Sequence, residues 1–394
     1  MKSIYLDNNA TTPLHPAAAE AMARCQAELW GNPSSQHAWG RRAHRALEDA
    51  REDIARILGA KTTGRQADQL VFTSGGTEAN NLAIFGLAAV RGAASEHAIV
   101  SSAIEHASIN ESLEQLKARG CRVVRLKPNA DGVVQLDQLD RSLDEHTPLL
   151  TVMLANHETG VLQPLGEIAA RCASVGVPVH TDAAQAVGKL PVDFRALGVS
   201  TMSVAAHKFH GPVGIGALVV RGDVKLPPVL YGGFQQQGMR PGTESVALVL
   251  GMHAALAAWE AEAEARTAHL SSLRDRFETE LAENCPLPIV INGRGAQRLP
   301  NTSSVAFVGL ERQALLMALD LAGVACSAGS ACASGSSEPS PVLSAMGASE
   351  AVLGSSLRFS FGATTTKEET DEAVARISAT CARLGALQPL TPSP

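Results

Sequence analysis

The sequence has few aromatic residues, no block of charge of one sign and no long uninterrupted apolar run. Phe, Trp and Tyr make up 4% of its 394 residues, against 34 glycines. The core is therefore expected to be tight and built from small side chains. No lysine/arginine-rich run occurs and the formal net charge is -6, which argues against nucleic acid and acidic membrane surfaces as partners. The N-terminus passes from Met1-Lys2-Ser3 into Ile4-Tyr5-Leu6 and a polar turn, without an apolar signal core. The most hydrophobic stretch, 246–259, is alanine-rich and contains His253, so it predicts a buried helix and not a membrane span. Cysteine is present seven times, an odd number, with irregular spacing and no CxxC. That pattern excludes a disulfide framework and a structural zinc site, and points to a reducing compartment, the cytoplasm.

What is present is alternation. Apolar strand candidates fall at 70–73, 98–101, 122–126, 149–154, 177–181 and 201–205, with a returning strand at 215–220. Most are separated by helix-like patterns, which predicts an α/β fold with a mostly parallel seven-stranded sheet flanked by helices. Ahead of them, a helix is expected from about Pro16 to Leu29. A second, amphipathic one carries Ala43, Leu47, Ala50 and Ile54, with Gly59 as its cap. One long helix is expected from Thr243 to about Asn284, stopped by Pro286. We expect a large domain over 15–260. A smaller α+β domain would be made of 1–14 and 261–385, with 386–394 a disordered tail.

The polar motifs fall mainly at expected strand ends, where such sheets bind ligands. The run 203–216, SVAAHKFHGPVGIG, ends a strand in a glycine-rich loop and puts Lys208 where a buried sheet meets a turn. Burial and a cationic neighbour, His207, favour its neutral amine, which can condense with an aldehyde; a lone strand-end lysine would instead snorkel to water. The turn in 72–81, FTSGGTEANN, opens a helix at Gly76 and Thr77, whose N–H groups can hold a phosphate. It matches neither GxGxxG nor GxxxxGK[ST]. His106 follows a strand and can stack on a ring or move protons. Asp182 can keep a ring nitrogen protonated, or simply cap the helix that follows, and Gln185 can meet a ring hydroxyl. Asn156 can reach a ring oxygen or a carboxylate, or simply form an Asx-turn. Arg358, inward on an expected strand, needs an acidic partner, and a substrate carboxylate would serve. Cys332 sits in SAGSACASGSSEPS among small residues with almost no apolar cover, the setting of an exposed and reactive thiol.

Together, TSGGTEANN, EHAS, NHETG, TDAAQAVGK, AHKFHGPVGIG, RPGTES, GSAC and LRFSFG resemble, in order, the cysteine desulfurases of the class-V aminotransferase superfamily. The resemblance implies a fold-type-I transferase dependent on pyridoxal phosphate, working as a homodimer. By it, Lys208 forms the Schiff base, and Gly76, Thr77 and His207 hold the phosphate. Thr243 reaches the phosphate of the neighbouring subunit. His106 stacks on the ring, Asp182 pairs with its nitrogen, and Asn156 and Gln185 meet its oxygen. Arg358, with Asn156, clamps the carboxylate of L-cysteine, and Cys332 takes the sulfur, leaving alanine and a persulfide. The EPS after Cys332 resembles the longer-loop subgroup that serves iron–sulfur assembly. An iron–sulfur scaffold or other acceptor protein is then the partner, and any cluster ligation by Cys332 is transient and shared with it. Selenocysteine lyase activity and a non-catalytic persulfide carrier remain open as alternatives. Four positions depart from the family pattern. Ala205 replaces a phosphate-binding serine, His157 an asparagine, Val213 a lysine and Ala363 an arginine.

Overall fold

The computed structural model describes residues 2–90, 97–329 and 338–387. Twelve strands are assigned among them. After β1 (Ile4–Tyr5) come β2 (Gln69–Thr73), β3 (Ala98–Ser102), β4 (Arg122–Leu126), β5 (Leu150–Thr151), β6 (Val179–Asp182), β7 (Thr201–Ala205) and β8 (Gly216–Val220). Then follow β9 (Ile289–Ile291), β10 (Thr302–Phe307), β11 (Val324–Ala325) and β12 (Ser356–Ser360). The main sheet has seven strands in the order β2-β8-β7-β6-β5-β3-β4, parallel except for β8, which is antiparallel to both neighbours. This is the mostly parallel, helix-flanked sheet of a fold-type-I transferase.

Both faces of this sheet are buried, and alternate residues of each strand serve opposite faces. Leu70, Phe72, Ala217 and Val219 join the core under the helices Ala38–Ile57 and Val246–Asn284. Val71, Leu218 and Val220 join the other, under the helices Gly76–Val90 and Ala107–Ala118. The strand expected at 177–181 begins later because Pro178 has no N–H to offer the ladder. The amphipathic helix starts at Ala38, where His37 caps it by accepting the Gly40 N–H. Gly59 closes it in the left-handed region, φ 71°, while the Ala60 N–H returns to the Ala55 carbonyl.

The long helix runs unbroken over Val246–Asn284, capped by Ser245. Part of it is long and apolar enough, by composition, to cross a membrane, but Val249, Met252, Leu256 and Trp259 are packed in the main core. Further along, Leu270, Leu273, Phe277 and Leu281 enter a second core with Phe307, Phe359 and Phe361. That core lies against an antiparallel sheet, β12-β10-β9, and the parallel pair β1-β11. The chain's first strand is thus joined to residues more than three hundred positions away, which carries 7–12 to the carboxyl end of the main sheet. The helix Lys367–Leu387 extends into the expected tail, of which 388–394 lie outside the described residues.

Candidate active site

The carboxyl ends of β3, β6 and β7 deliver His106, Asp182 and Lys208 to one place. A cavity of about 240 Å³ is lined there by Asn9, Glu105, His106, His157, Gln185, Lys208 and Arg358, among others. Lys208 follows β7 on a single tight turn, Ala206–Lys208. Its Nζ donates to the carbonyls of Asn9 at 2.6 Å and Ala10 at 2.8 Å. His207 is held near Thr11, Nδ1 to Oγ1 3.3 Å. The expected cationic neighbour is not one: burial, with Lys208 and Lys189 beside it, pushes the His207 pKa down to about 4.

His106 caps the helix Ala107–Ala118, its Nδ1 accepting the Ser108 N–H at 3.1 Å. A backbone N–H can only donate, so Nδ1 is unprotonated and the ring proton sits on Nε2. Burial lowers the His106 pKa; the Asp182 charge opposes this and Lys208 adds to it. Asp182 accepts the Ala184 N–H at 2.9 Å and the Asn80 amide at 2.8 Å. Asn80, 1% exposed, also donates to Ser108 Oγ at 2.8 Å, and that hydroxyl meets His106 Nδ1 at 2.8 Å. The Asn80 amide and the Ser108 hydroxyl thereby tie the carboxylate to the imidazole.

At the other end, the helix Gly76–Val90 starts beside the end of β7. Gly216 lets the turn approach, since a Cβ there would lie 2.6 Å from the Val204 carbonyl oxygen and 2.7 Å from the Gly75 carbonyl carbon. The first N–H groups of this helix have no intrahelical acceptor and can hold an anion. Ala205 lies 3.4 Å from the Cβ position of Gly76, so the missing serine hydroxyl belongs to this end. Thr77 is exposed at the same terminus.

Arg358 is 2% exposed on β12. It has the acidic partner its burial demands: Nη2 meets Asp7 Oδ1 at 2.7 Å, while Nη1 donates to the carbonyls of His157 and Gly329. Asn156 is spent locally. Its Oδ1 accepts the Glu158 and Thr159 N–H groups and its Nδ2 donates to the Ile104 carbonyl, the Asx-turn alternative. It does not line the cavity; His157 beside it does. Thr243 is exposed and also outside the lining. Cys332 lies outside the described residues.

Glu105 and His157 are among the lining residues to which the sequence assigned no role. Glu105 is buried and its pKa is pushed up to about 8, chiefly by burial, against hydrogen bonds from Ser102 and the Met153 N–H. His157 stands edge-on to His106, ring centroids 5.5 Å apart at 83°. Burial holds its pKa well below the ordinary histidine value, with His106, Arg358 and Lys208 adding to the effect. The family motif around each residue was the available signal.

The donor set fits pyridoxal phosphate. Among the described residues, four buried side-chain atoms with no hydrogen-bond partner belong to this lining: Glu105 Oε2, His157 Nδ1, Glu158 Oε1 and Arg358 Nε. Buried polar atoms are seldom left unmet, and their concentration here marks a site for a polar ligand. A lysine amine, a carboxylate three hydrogen bonds from the imidazole, and a helix N-terminus suit an aldehyde, a basic ring nitrogen and a phosphate respectively.

Comparison with known proteins agrees. The family described as Aminotransferase class-V matches residues 4–372. The chain is 40% identical to "Cysteine desulfurase IscS" of Dictyoglomus turgidum, over 93% of this chain and 92% of that one. It is 43% identical to "IscS-like cysteine desulfurase" of Mycobacterium tuberculosis, over 96% of each. A solved structure titled "NIFS-LIKE PROTEIN" superposes with a TM-score of 0.89 at 31% identity, covering 97% of this chain and all of that one. With its lysine, imidazole and carboxylate gathered at the sheet's carboxyl end, the chain belongs to the class-V aminotransferase family, in the pyridoxal-phosphate-dependent branch of the cysteine desulfurases.

Proposed function

We propose that the protein is a cysteine desulfurase that transfers the sulfur of L-cysteine to Cys332 and releases L-alanine. The observation that carries this reading is the convergence of Lys208, His106, Gln185 and Arg358 on one cavity. Bound pyridoxal phosphate supplies the electron sink for the carbanion character left when a carbon–sulfur bond breaks. The chain's own residues do the rest. Lys208 is the one lysine lining the cavity and is the nucleophile that anchors the cofactor's aldehyde. Asp182 keeps the ring nitrogen protonated. His106 offers a proton at Nε2 while Ser108 fixes its ring. The helix starting at Gly76, with Thr77 and His207, holds the phosphate. Arg358, whose Nε has no partner, receives the substrate carboxylate. Glu105 keeps its proton to about pH 8, so no second negative charge competes with Asp182 below that pH.

The chain on either side of the Cys332 segment supports the role of that thiol. Gly329 gives its carbonyl to Arg358, and Ser340 donates to Glu158, both at the cavity's edge. We propose further that the enzyme is a cytoplasmic homodimer in which Thr243 reaches the partner's phosphate. The exposed Tyr231 (89%) and Phe234 (93%) support a covered surface near that segment. An iron–sulfur scaffold or another thiol protein would take the persulfide sulfur. The test is turnover of L-cysteine to alanine with a thiol reductant, by wild type and Lys208→Ala. Loss of both the visible cofactor band and turnover in the variant is expected. Turnover that survives the substitution would refute the reading.

A further inference from the structure

Lys189 is a buried titratable group that the proposed chemistry leaves unused. It is 4% exposed, at the end of the turn that also carries Asp182 and Gln185. Its Nζ donates to Gln185 Oε1 at 2.7 Å and Asn9 Oδ1 at 3.1 Å, and its own carbonyl accepts from Thr267 Oγ1 at 3.0 Å. Among the described residues no carboxylate lies within ion-pair distance of it. The groups that act on it or share its surroundings are Lys208, Arg358, His207, His210 and Arg266, all basic. Lysine is almost never fully buried without a charged partner. Burial, then Lys208, then Arg358 hold its pKa well below the ordinary lysine value.

The hydrogen bonds show what the amine does. The Asn9 carbonyl accepts from Lys208 Nζ and, at 3.1 Å, from Gln185 Nε2. A carbonyl can only accept, so the NH₂ end of Gln185 must face it and the amide oxygen must face Lys189. One N–H of Gln185 is used on Asn9. The other is available to an acceptor in the cavity that Gln185 lines. Without Lys189 the amide oxygen would be buried beside an apolar side chain, and the fixed orientation would lose half its cause.

We propose that Lys189 is a positioning residue: it locks the Gln185 amide with an N–H toward the cavity, where the cofactor's ring oxygen is the acceptor. The inference rests on the pyridoxal-phosphate reading of the site. Its signature is the pH titration of the visible band of the cofactor-bound protein, which a purely structural lysine would not move. Weakening a donor to the ring oxygen favours the protonated form of the chromophore. In Lys189→Met the midpoint should rise by about one pH unit, a tenfold change. Gln185→Met should shift it the same way. The double variant should shift no further than the larger single one, because the two residues act through one contact.

The titration is run on the full-length holoenzyme of wild type and each variant. Lys189→Gln, which keeps a donor on a shorter chain, is the second variant and should show a smaller shift. An unmoved midpoint in folded Lys189→Met, a Lys189→Gln shift as large as that of Lys189→Met, or shifts that simply add in the double variant, would overturn the proposal. A visible band that survives Lys208→Ala would instead overturn the reading of the site, a distinct result.

Discussion

Replacing Ala205 by serine probes the phosphate end of the site. Ala205 ends β7 at 3% exposure, and its Cβ lies 3.4 Å from the Cβ position of Gly76 at the helix start. An anion held there already accepts from the open N–H groups of the helix. An added hydroxyl donates one more hydrogen bond to a charged acceptor, worth about 1.5–3 kcal/mol. At 1.4 kcal/mol per factor of ten, cofactor binding should tighten roughly 10- to 150-fold. Without cofactor the same hydroxyl is buried with its desolvation uncompensated, at a cost of about 1–3 kcal/mol if no acceptor is found. Apo Ala205→Ser should therefore melt at or below wild type, while the holo form melts above it. The assay is titration of each apoprotein with pyridoxal phosphate, followed by visible absorbance, with melting curves of both states. An unchanged or weaker dissociation constant would refute the placement of the anion between Ala205 and the Gly76 helix.

Two further outcomes are expected. Arg358→Lys keeps a charge but not the planar fork that spans Asp7, two carbonyls and the free Nε. kcat/KM for L-cysteine should fall by roughly 10- to 150-fold, the loss of one hydrogen bond to a carboxylate. Steady-state kinetics check this, and a KM and kcat both unchanged would remove Arg358 from substrate binding. Glu105 keeps its proton in the fold to about pH 8, whereas the unfolded chain releases it near 4.5. The folded state then binds more protons between those values, so this group makes stability fall as pH rises through that window. Glu105→Gln should flatten the fall, read as melting temperatures at pH 5, 6.5 and 8. An unaltered pH slope would mean that Glu105 is ionised in the fold.

Local periodicity carried the main sheet. Alternating apolar residues between helical patterns announced its strands, and the motifs that follow them put His106, Asp182 and Lys208 at their carboxyl ends. What stayed hidden were partners distant in sequence. Arg358 was seen to need an acid, but nothing near it in sequence names Asp7, 351 positions away. Asn156 reads equally as a ligand contact or a turn former, and only the packing of 156–160 against Ile104 shows that its amide is spent on the turn. His207 looked cationic because its burial and the approach of Lys189 are tertiary facts. Lys189 sits after a Val-Gly pair in what reads as an ordinary surface turn. Its burial depends on Asn9 and Thr267, 180 and 78 positions away on either side.

The most direct test of the central claim is the yield of alanine and sulfide from L-cysteine, with a thiol reductant, by wild type and Cys332→Ala. The account predicts equal amounts of the two products from wild type and neither from the variant, with the visible cofactor band intact in both. Alanine and sulfide formed at the wild-type rate by Cys332→Ala would contradict it, because the sulfur would then leave without passing through that thiol.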